Sequence, residues 1–206
     1  INQDKPSDAN GNTLNRSQYG DVLTVMALGA PAEAGNGSAV TMDASKTPWE
    51  TSRTPMNSDN TNDGSWKASK MRTTTMASYL AKLPANTQKA IGYVQKVTGQ
   101  CNSTTNITTG DKCFLLSGKE IFGGTGNGNG SYCTTAEANA TFQYQYFARI
   151  ATTETSRKIT GVSFNAWWLR SPFVSDSNLF CGVYMGGSNS YYANNDLIVF
   201  PAFCIY

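Results

Sequence analysis

Trp167-Trp168-Leu169-Arg170-Ser171-Pro172 opens a C-terminal stretch that closes on Phe203-Cys204-Ile205-Tyr206. Between these apolar ends, Ser175, Ser177, Asn178, Tyr184, Ser188, Asn189, Ser190, Tyr191, Tyr192, Asn194 and Asn195 crowd together. From Ser171 onward there is no Lys, Arg or Glu, and the charged residues are Asp176 and Asp196. Tyr offers a large, rigid contact area at low entropic cost, while Ser, Gly and Asn offer adaptable hydrogen bonding. The stretch reads as a ligand-binding surface on a rigid frame, not as a catalytic centre.

At 206 residues the chain has the length of one domain, or of one domain with a satellite, and is long enough to bury a real core. Hydrophobic residues make up 39%, charged residues 15%, and Gly numbers 19, a composition that leans toward strands, turns and polar loops. A net charge of +2 gives no field suited to nucleic acid, and no basic cluster interleaves with aromatics. No apolar run is long enough to span a membrane. The start at Ile1, without Met or signal peptide, is what a fragment or processed product would show.

Histidine is absent, which removes Ser-His-Asp and Cys-His nucleophile systems and His-containing zinc sites. The cysteines are Cys101, Cys113, Cys133, Cys181 and Cys204, none in C-x-x-C spacing. Two pairings fit the spacing: Cys101 with Cys113 across a short loop, and Cys181 with Cys204 between neighbouring strands. The alternative is that they are small buried hydrophobes in a reducing cell.

Taken in order, residues 1–20 read as a solvated polar loop. Asp4, Asp8, Asn10 and Asn12 resemble a calcium loop but lack its closing Glu and flanking helices. Residues 21–28 predict a strand, stopped by Gly29-Ala30-Pro31, and 29–48 a loop. After a turn-rich segment at 56–66, Ser69 is the expected N-cap of a helix whose stripe is Met71, Met76, Tyr79, Leu80 and Leu83. Pro84 begins a second helix with Ile91, Val94 and Val97 on its buried face and Gly99 as C-cap. Residues 101–110 predict a loop, 112–117 a buried strand and 119–122 a turn of helix. The glycine run at 123–130 lacks the G-K-S/T and flanking strand of a phosphate loop and reads as a flexible loop. Thr134 with Glu137 starts a third helix carrying Ala140, Tyr144, Phe147 and Ile150, followed by a polar connector at 151–160. Short strands are predicted at 164–169, 179–184, 191–192 and 199–206, with a tight turn at Gly186-Gly187 and a bend at Asn194-Asn195-Asp196.

Seven segments together carry a family resemblance. They are Met56-Asn57 to Trp66, Met71-Arg72, Leu83-Pro84 to Ile91, Asp111 to Ser117, Trp167 to Pro172, Phe180-Cys181-Gly182-Val183 and Phe203-Cys204-Ile205. With them the chain, from about residue 20 to its end, resembles domains of gut bacteria, phages and prophages that look like variable proteins of diversity-generating retroelements. The resemblance implies an α+β chain with a C-type lectin-like fold, two or three helices packed on short antiparallel sheets, rich in loops. Residues 1–20 would be an N-terminal loop or the end of an upstream segment, and 21–206 the lectin-like domain with a variable binding region at 165–200. In such systems template adenines are randomised, so Asn codons become codons for Ser, Tyr, Asp, Thr, Gly and others but never Lys, Glu or Gln. The composition after Arg170 fits that chemistry, except that Met185 would have to be fixed scaffold.

The resemblance implies a non-enzymatic receptor- or ligand-binding domain of a phage particle, prophage product or cell surface, located on the virion or outside the cell. Its partner would be a protein or glycan receptor on a cell surface, with no nucleic acid, no cofactor and no metal; oligomerisation would come through a parent particle. The frame would be Trp167–Pro172, Cys181, Gly182, Gly186, Gly187 and residues 203–205, with Arg170 satisfied internally because an unpaired buried guanidinium is costly. The contact candidates are Phe173, Val174, Ser177, Asn178, Phe180, Tyr184, Ser188, Ser190, Tyr191, Tyr192, Asn194, Asn195 and Leu197, with alternate side chains of 188–192 exposed. The competing readings are a non-diversifying surface adhesin or pilus-associated domain and, in another class, a formylglycine-generating-type oxidase. The oxidase needs a reactive cysteine pair, whereas Cys181 and Cys204 lie in apolar sequence without an adjacent cation. A hydrolase on Asp176 and Asp196 would need converging carboxylates. Asn194-Asn195-Asp196 resembles a lectin calcium triplet without its E-P-N partner.

Overall fold

Runs of Val, Phe and Tyr interrupted every few residues by Gly, Asn and Pro support only short strands, and the chain is a mixed α+β fold built from them. The computed structural model describes residues 4–15, 22–26, 54–124, 126–127, 130–149, 166–184 and 187–206. The elements begin with β1 (Leu23–Met26), α1 (Ser65–Ala68), a π-helical segment (Met71–Thr75) running into α2 (Met76–Lys82), and α3 (Ala85–Ala90). Next come β2 (Ile91–Gly92), β3 (Val94–Gly99), β4 (Asn106–Asp111), β5 (Cys113–Phe114) and α4 (Gly118–Phe122). A small ribbon, β6 (Gly126–Asn127) with β7 (Gly130–Ser131), precedes α5 (Thr135–Ala140) and α6 (Gln145–Arg149). The chain ends with β8 (Trp167–Pro172), β9 (Leu179–Tyr184), β10 (Gly187–Tyr192) and β11 (Ala202–Ile205).

All the named sheet pairs are antiparallel. β11 is the hub of one sheet, pairing with β1 from Leu23↔Ile205 to Met26↔Ala202, with β2 at Cys204↔Gly92 and with β5 at Phe203↔Cys113. A second sheet has the order β10-β9-β8, and β3 pairs with β4 as a ribbon. Every residue of β8 is buried, so WWLRSP is an interior strand, while β10 is the partly exposed edge. Trp66, Trp168, Phe114, Phe180, Phe200, Met56, Met71 and Met76 are fully buried and belong to one core. Among the described residues no helix is long and apolar enough to cross a membrane.

The recurring motif residues hold this frame. Asp111 accepts from Trp66 Nε1 at 2.9 Å, Arg72 Nε at 2.6 Å and the Thr109 hydroxyl at 2.7 Å, tying α1, the π segment and β4 together. Ser117 and Glu120 form a reciprocal capping box at the start of α4, and Gly123 closes it at φ 80°, a conformation suited to glycine. The helical stripe holds, with Met71, Met76, Tyr79 and Leu83 buried and Leu80 half-buried. Ser69 lies between α1 and the π segment, where its hydroxyl accepts from Arg72 N–H and donates to the Trp66 carbonyl.

Several expectations are corrected. The second helix ends at Ala90, and Val94–Gly99 is a strand paired with β4. Val94 and Val97 fit a helical spacing of three, but the strand period instead turns Val94, Lys96 and Thr98 inward, and a lysine at an inward position hid it. Gly99 therefore caps no helix, and the loop expected at 101–110 shortens because β4 starts at Asn106. The third helix divides: Thr134 does cap it, accepting from Glu137 N–H at 3.0 Å, but the backbone turns extended at Thr141 before α6. The five thiols are free. Cys181 and Cys204 occupy different sheets, and Cys113 lies 3.5 Å from the Met76 sulfur. Residues 4–15 hold no named strand or helix, as expected of a loop, but they are packed in part rather than solvated, since Ser7 N–H bonds the Tyr93 carbonyl and Gln95 N–H bonds the Lys5 carbonyl. Asp8 closes its own turn by accepting from Asn10 and Asn12, and Asp4 is buried. The last strands also move: β10 is longer than 191–192, and 199–201 is buried but not strand. The expectations for 29–48, Ile150, 151–160, Phe164, Met185 and Gly186 lie outside the described residues.

Candidate ligand-binding surface

Beneath the C-terminal surface lies a buried charge network. Arg170 reaches Glu120 with two hydrogen bonds of 2.5 and 2.9 Å, bonds the Leu115 carbonyl at 2.9 Å and touches Thr98 Oγ1 at 3.2 Å. The guanidinium is thus paired, as a buried one must be. Burial would raise the Glu120 carboxyl, but Arg170 and then Lys96 outweigh it and hold it below its ordinary value. Glu120, and after it Glu137, keep Arg170 firmly charged despite its burial. Glu137, equally buried, is held above the usual carboxylate value by desolvation, only partly offset by Arg170 and by its bonds from Ser171 Oγ and Gly99 N–H. Ser171 Oγ in turn accepts from Gly118 N–H at 2.9 Å, so β8 is anchored to β3, α4 and α5 at once.

Two loops carried by this frame have their backbones pinned from outside. Asn62 donates from its side chain to the carbonyls of Asp176 and Leu179, and its own N–H bonds the Ser177 carbonyl at 2.6 Å. Asn102 N–H bonds the Val174 carbonyl at 2.8 Å. Beyond β10, Asn57 N–H bonds the Ala193 carbonyl, Ala193 N–H bonds the Asn178 carbonyl, and Thr54 pairs with Leu197. Main-chain positions are therefore set largely by residues distant in sequence, with Asp176 adding a local bond from its carboxylate to Asn178 N–H.

The contact candidates divide on this framework. Ser177, Asn178, Tyr184, Tyr192, Asn194 and Asn195 are exposed, and Phe173, Val174, Ser188, Ser190 and Tyr191 are half-buried. Phe180 and Leu197 are buried, at 0% and 5% exposure, and are corrected to frame residues. Phe180 is flanked by Pro172 on β8 and Tyr191 on β10 and belongs to the core cluster, as does Leu197. The exposed residues fall into two groups. Tyr192 (opposite Leu179), Ser177, Asn178, Asn194 and Asn195 gather at one end of the sheet. Tyr184, opposite Gly187, lies at the other end.

Strand parity places Tyr184 and part of β10 on one face of the sheet, with Tyr192 on the other. Asn189 opposes Gly182 and Tyr191 opposes Phe180, so Tyr184, Asn189 and Tyr191 share a face. Tyr191 packs edge-on to Trp168 at 6.1 Å, its ring edge 3.0 Å from where a Cβ on Gly182 would stand. Strict alternation along 188–192 does not hold: Asn189 and Tyr192 are exposed, while Ser188, Ser190 and Tyr191 are half-buried. Ser175, Asn189 and Asp196 are exposed too, in addition to the contact candidates. Among the described residues no three His, Cys, Asp or Glu side chains converge in a metal-binding arrangement.

A family model for a domain of unknown function, DUF6273, matches residues 36–206, and the chain belongs to that family. No curated protein and no solved structure matches the chain.

Proposed function

We propose that this member of the DUF6273 family is a non-enzymatic display domain with a C-type lectin-like fold. Its exposed C-terminal Tyr, Ser and Asn side chains bind a protein or glycan receptor, and a retroelement diversifies them. One observation carries the reading. The backbones of the loop between β8 and β9 and of the segment after β10 are fixed by Asn57, Asn62, Asn102 and Thr54, while Ser177, Asn178, Tyr192, Asn194 and Asn195 are exposed. Side chains that do not hold the fold can change without unfolding it. The antiparallel closure of β1 on β11 near the two ends of the chain supports the lectin-like assignment. The C-terminal stretch after Arg170 is uncharged apart from Asp176 and Asp196 and offers amide, hydroxyl and phenol groups, the inventory for a polar or glycan-bearing partner. Placement on a virion or cell surface follows from that role.

The test is to sequence the codons for residues 165–200 across a natural population. Adenine-directed substitutions at the exposed positions, with Asn62, Phe180 and Gly182 unchanged, support the proposal. A uniform sequence there refutes diversification and leaves a fixed surface adhesin using the same face.

A further inference from the structure

The network beneath the surface contains an arrangement that salt-bridge chemistry alone does not require. Lys96 Nζ lies 2.6 Å from Asp4 Oδ1, with both side chains 1% exposed. Glu120 Oε1 is 3.3 Å from the same nitrogen, and the Phe114 ring centre is 3.8 Å away. The other Asp4 oxygen, Oδ2, accepts from the Tyr144 hydroxyl at 2.7 Å, from the Thr24 hydroxyl and from the Cys204 thiol at 3.4 Å. One carboxylate oxygen therefore faces an amine while the other sits among hydrogen-bond donors.

We propose that Lys96 and Asp4 condense to an intramolecular amide that fastens the N-terminal segment to β3. In the resting state the two are an ion pair: burial disfavours both charges, but each partner's charge outweighs it, with Glu120 adding to the hold on Lys96. Transfer of a proton from the ammonium, through Glu120 or directly to Oδ1, gives a neutral amine beside a neutral carboxyl. This exchange runs against the mutual hold of the two charges and is the slow step, while the burial that disfavours both charges is what it relieves. The Nζ lone pair then attacks Cγ, forming the Nζ–Cγ bond. The charge developing on Oδ2 is met by the Tyr144, Thr24 and Cys204 donors. Oδ1 leaves as water, carrying two of the three ammonium hydrogens, and the third stays on the amide nitrogen. No oxidant, reductant or cofactor is needed. A cavity of about 340 Å³, lined in part by Asp4, Lys5, Gln95, Glu120 and Phe142, adjoins the reacting groups and gives the water a way out.

Charge counting permits the product. The network holds Asp4 and Glu120 against Lys96 and Arg170. Condensation removes one charge of each sign and leaves the Glu120–Arg170 pair balanced. Holding amine and carboxyl in contact also replaces a bimolecular encounter with an intramolecular one.

The experiment is intact-mass spectrometry of the folded 206-residue chain, unfolded and reduced just before measurement. The expected mass is about 18 Da, one water, below that of the sequence. Trypsin should release residues 1–16 joined to residues 90–112, uncut after Lys96. Lys96→Met and Asp4→Ala chains should show full mass and no joined peptide. A folded wild-type chain that keeps its full mass after days of incubation overturns the proposal. So does a water loss that persists in Lys96→Met, which would place it elsewhere, for example as a succinimide at Asp63-Gly64.

Discussion

Replacing Arg170 by Met removes the guanidinium while leaving a side chain long enough to occupy much of its volume, so the effect reports charge rather than a cavity. The native network has two carboxylates, Asp4 and Glu120, facing two cations, Lys96 and Arg170. Without Arg170, Glu120 loses bonds of 2.5 and 2.9 Å in a site 1% exposed, and the Leu115 carbonyl loses its 2.9 Å donor. Stranding one member of a buried pair costs about 3–5 kcal/mol, a large part of the roughly 5–15 kcal/mol that holds a domain together. Glu120→Gln alone strands Arg170 and should cost a similar amount. The double variant Arg170→Met/Glu120→Gln strands neither, so its loss should be well below the sum of the two, with a coupling of about 2–3 kcal/mol. The balance is the same whether Lys96 and Asp4 are an ion pair or an amide. Urea unfolding followed by tryptophan fluorescence, with the slope m checked for constancy, measures all three. A single-variant loss under about 1 kcal/mol, or strict additivity in the double variant, would refute the view that these charges are mutually dependent.

Four further outcomes are expected. Phe180→Ala should cost about 3–5 kcal/mol by emptying a core position, whereas Tyr192→Ala, at a residue 52% exposed, should stay within about 0.5 kcal/mol in the same urea assay. Gly182→Ala would set a Cβ 2.9 Å from the Trp167 carbonyl oxygen, which is fixed backbone. A loss of about 1–3 kcal/mol should appear as a lower Tm, and an unchanged Tm would contradict the close approach. Glu137 has a folded pKa raised by burial, so its share of stability is complete below the ordinary carboxylate value and is lost as pH rises through the raised one. Glu137→Gln should therefore gain stability relative to wild type as pH increases from 4 to 8, and a difference independent of pH would remove the assignment. Burial pushes the Cys133 thiol up to about 12 and raises Cys113 and Cys181 well above the ordinary value. A thiol reagent at neutral pH should accordingly modify half-exposed Cys101 first and the other four only on unfolding; rapid native labelling of Cys181 would count against its buried position.

The sequence was most legible where one residue type has few physical options. Trp167, Trp168 and Leu169 had to be interior, and Arg170 among them had to find partners, which it does in Glu120 and the Leu115 carbonyl. The Met71, Met76, Tyr79 and Leu83 stripe read correctly because its helical period is reinforced along the π segment and α2. Reading failed where partners far along the chain decide. Val94 to Gly99 satisfies both a helical and an alternating pattern, and only pairing with β4 selects the strand. That choice sends Lys96 inward to meet Asp4, a residue 92 positions away and one that local sequence marks as solvated.

For the binding surface the same division applies. Composition alone determined that the C-terminal stretch is polar, aromatic and nearly uncharged between two apolar ends. It could not say which side chains face outward, because Phe180 and Tyr184 are alike in kind and lie on the same strand and face. Tertiary structure decided that: Phe180 is flanked by Pro172 and Tyr191 while Tyr184 lies opposite Gly187 at the strand end, and Asn62 and Asn57 reach across to hold the loop backbones. Residue chemistry is local and can be read along the chain. Exposure is a property of what packs alongside, and it exists only once the distant strands have met.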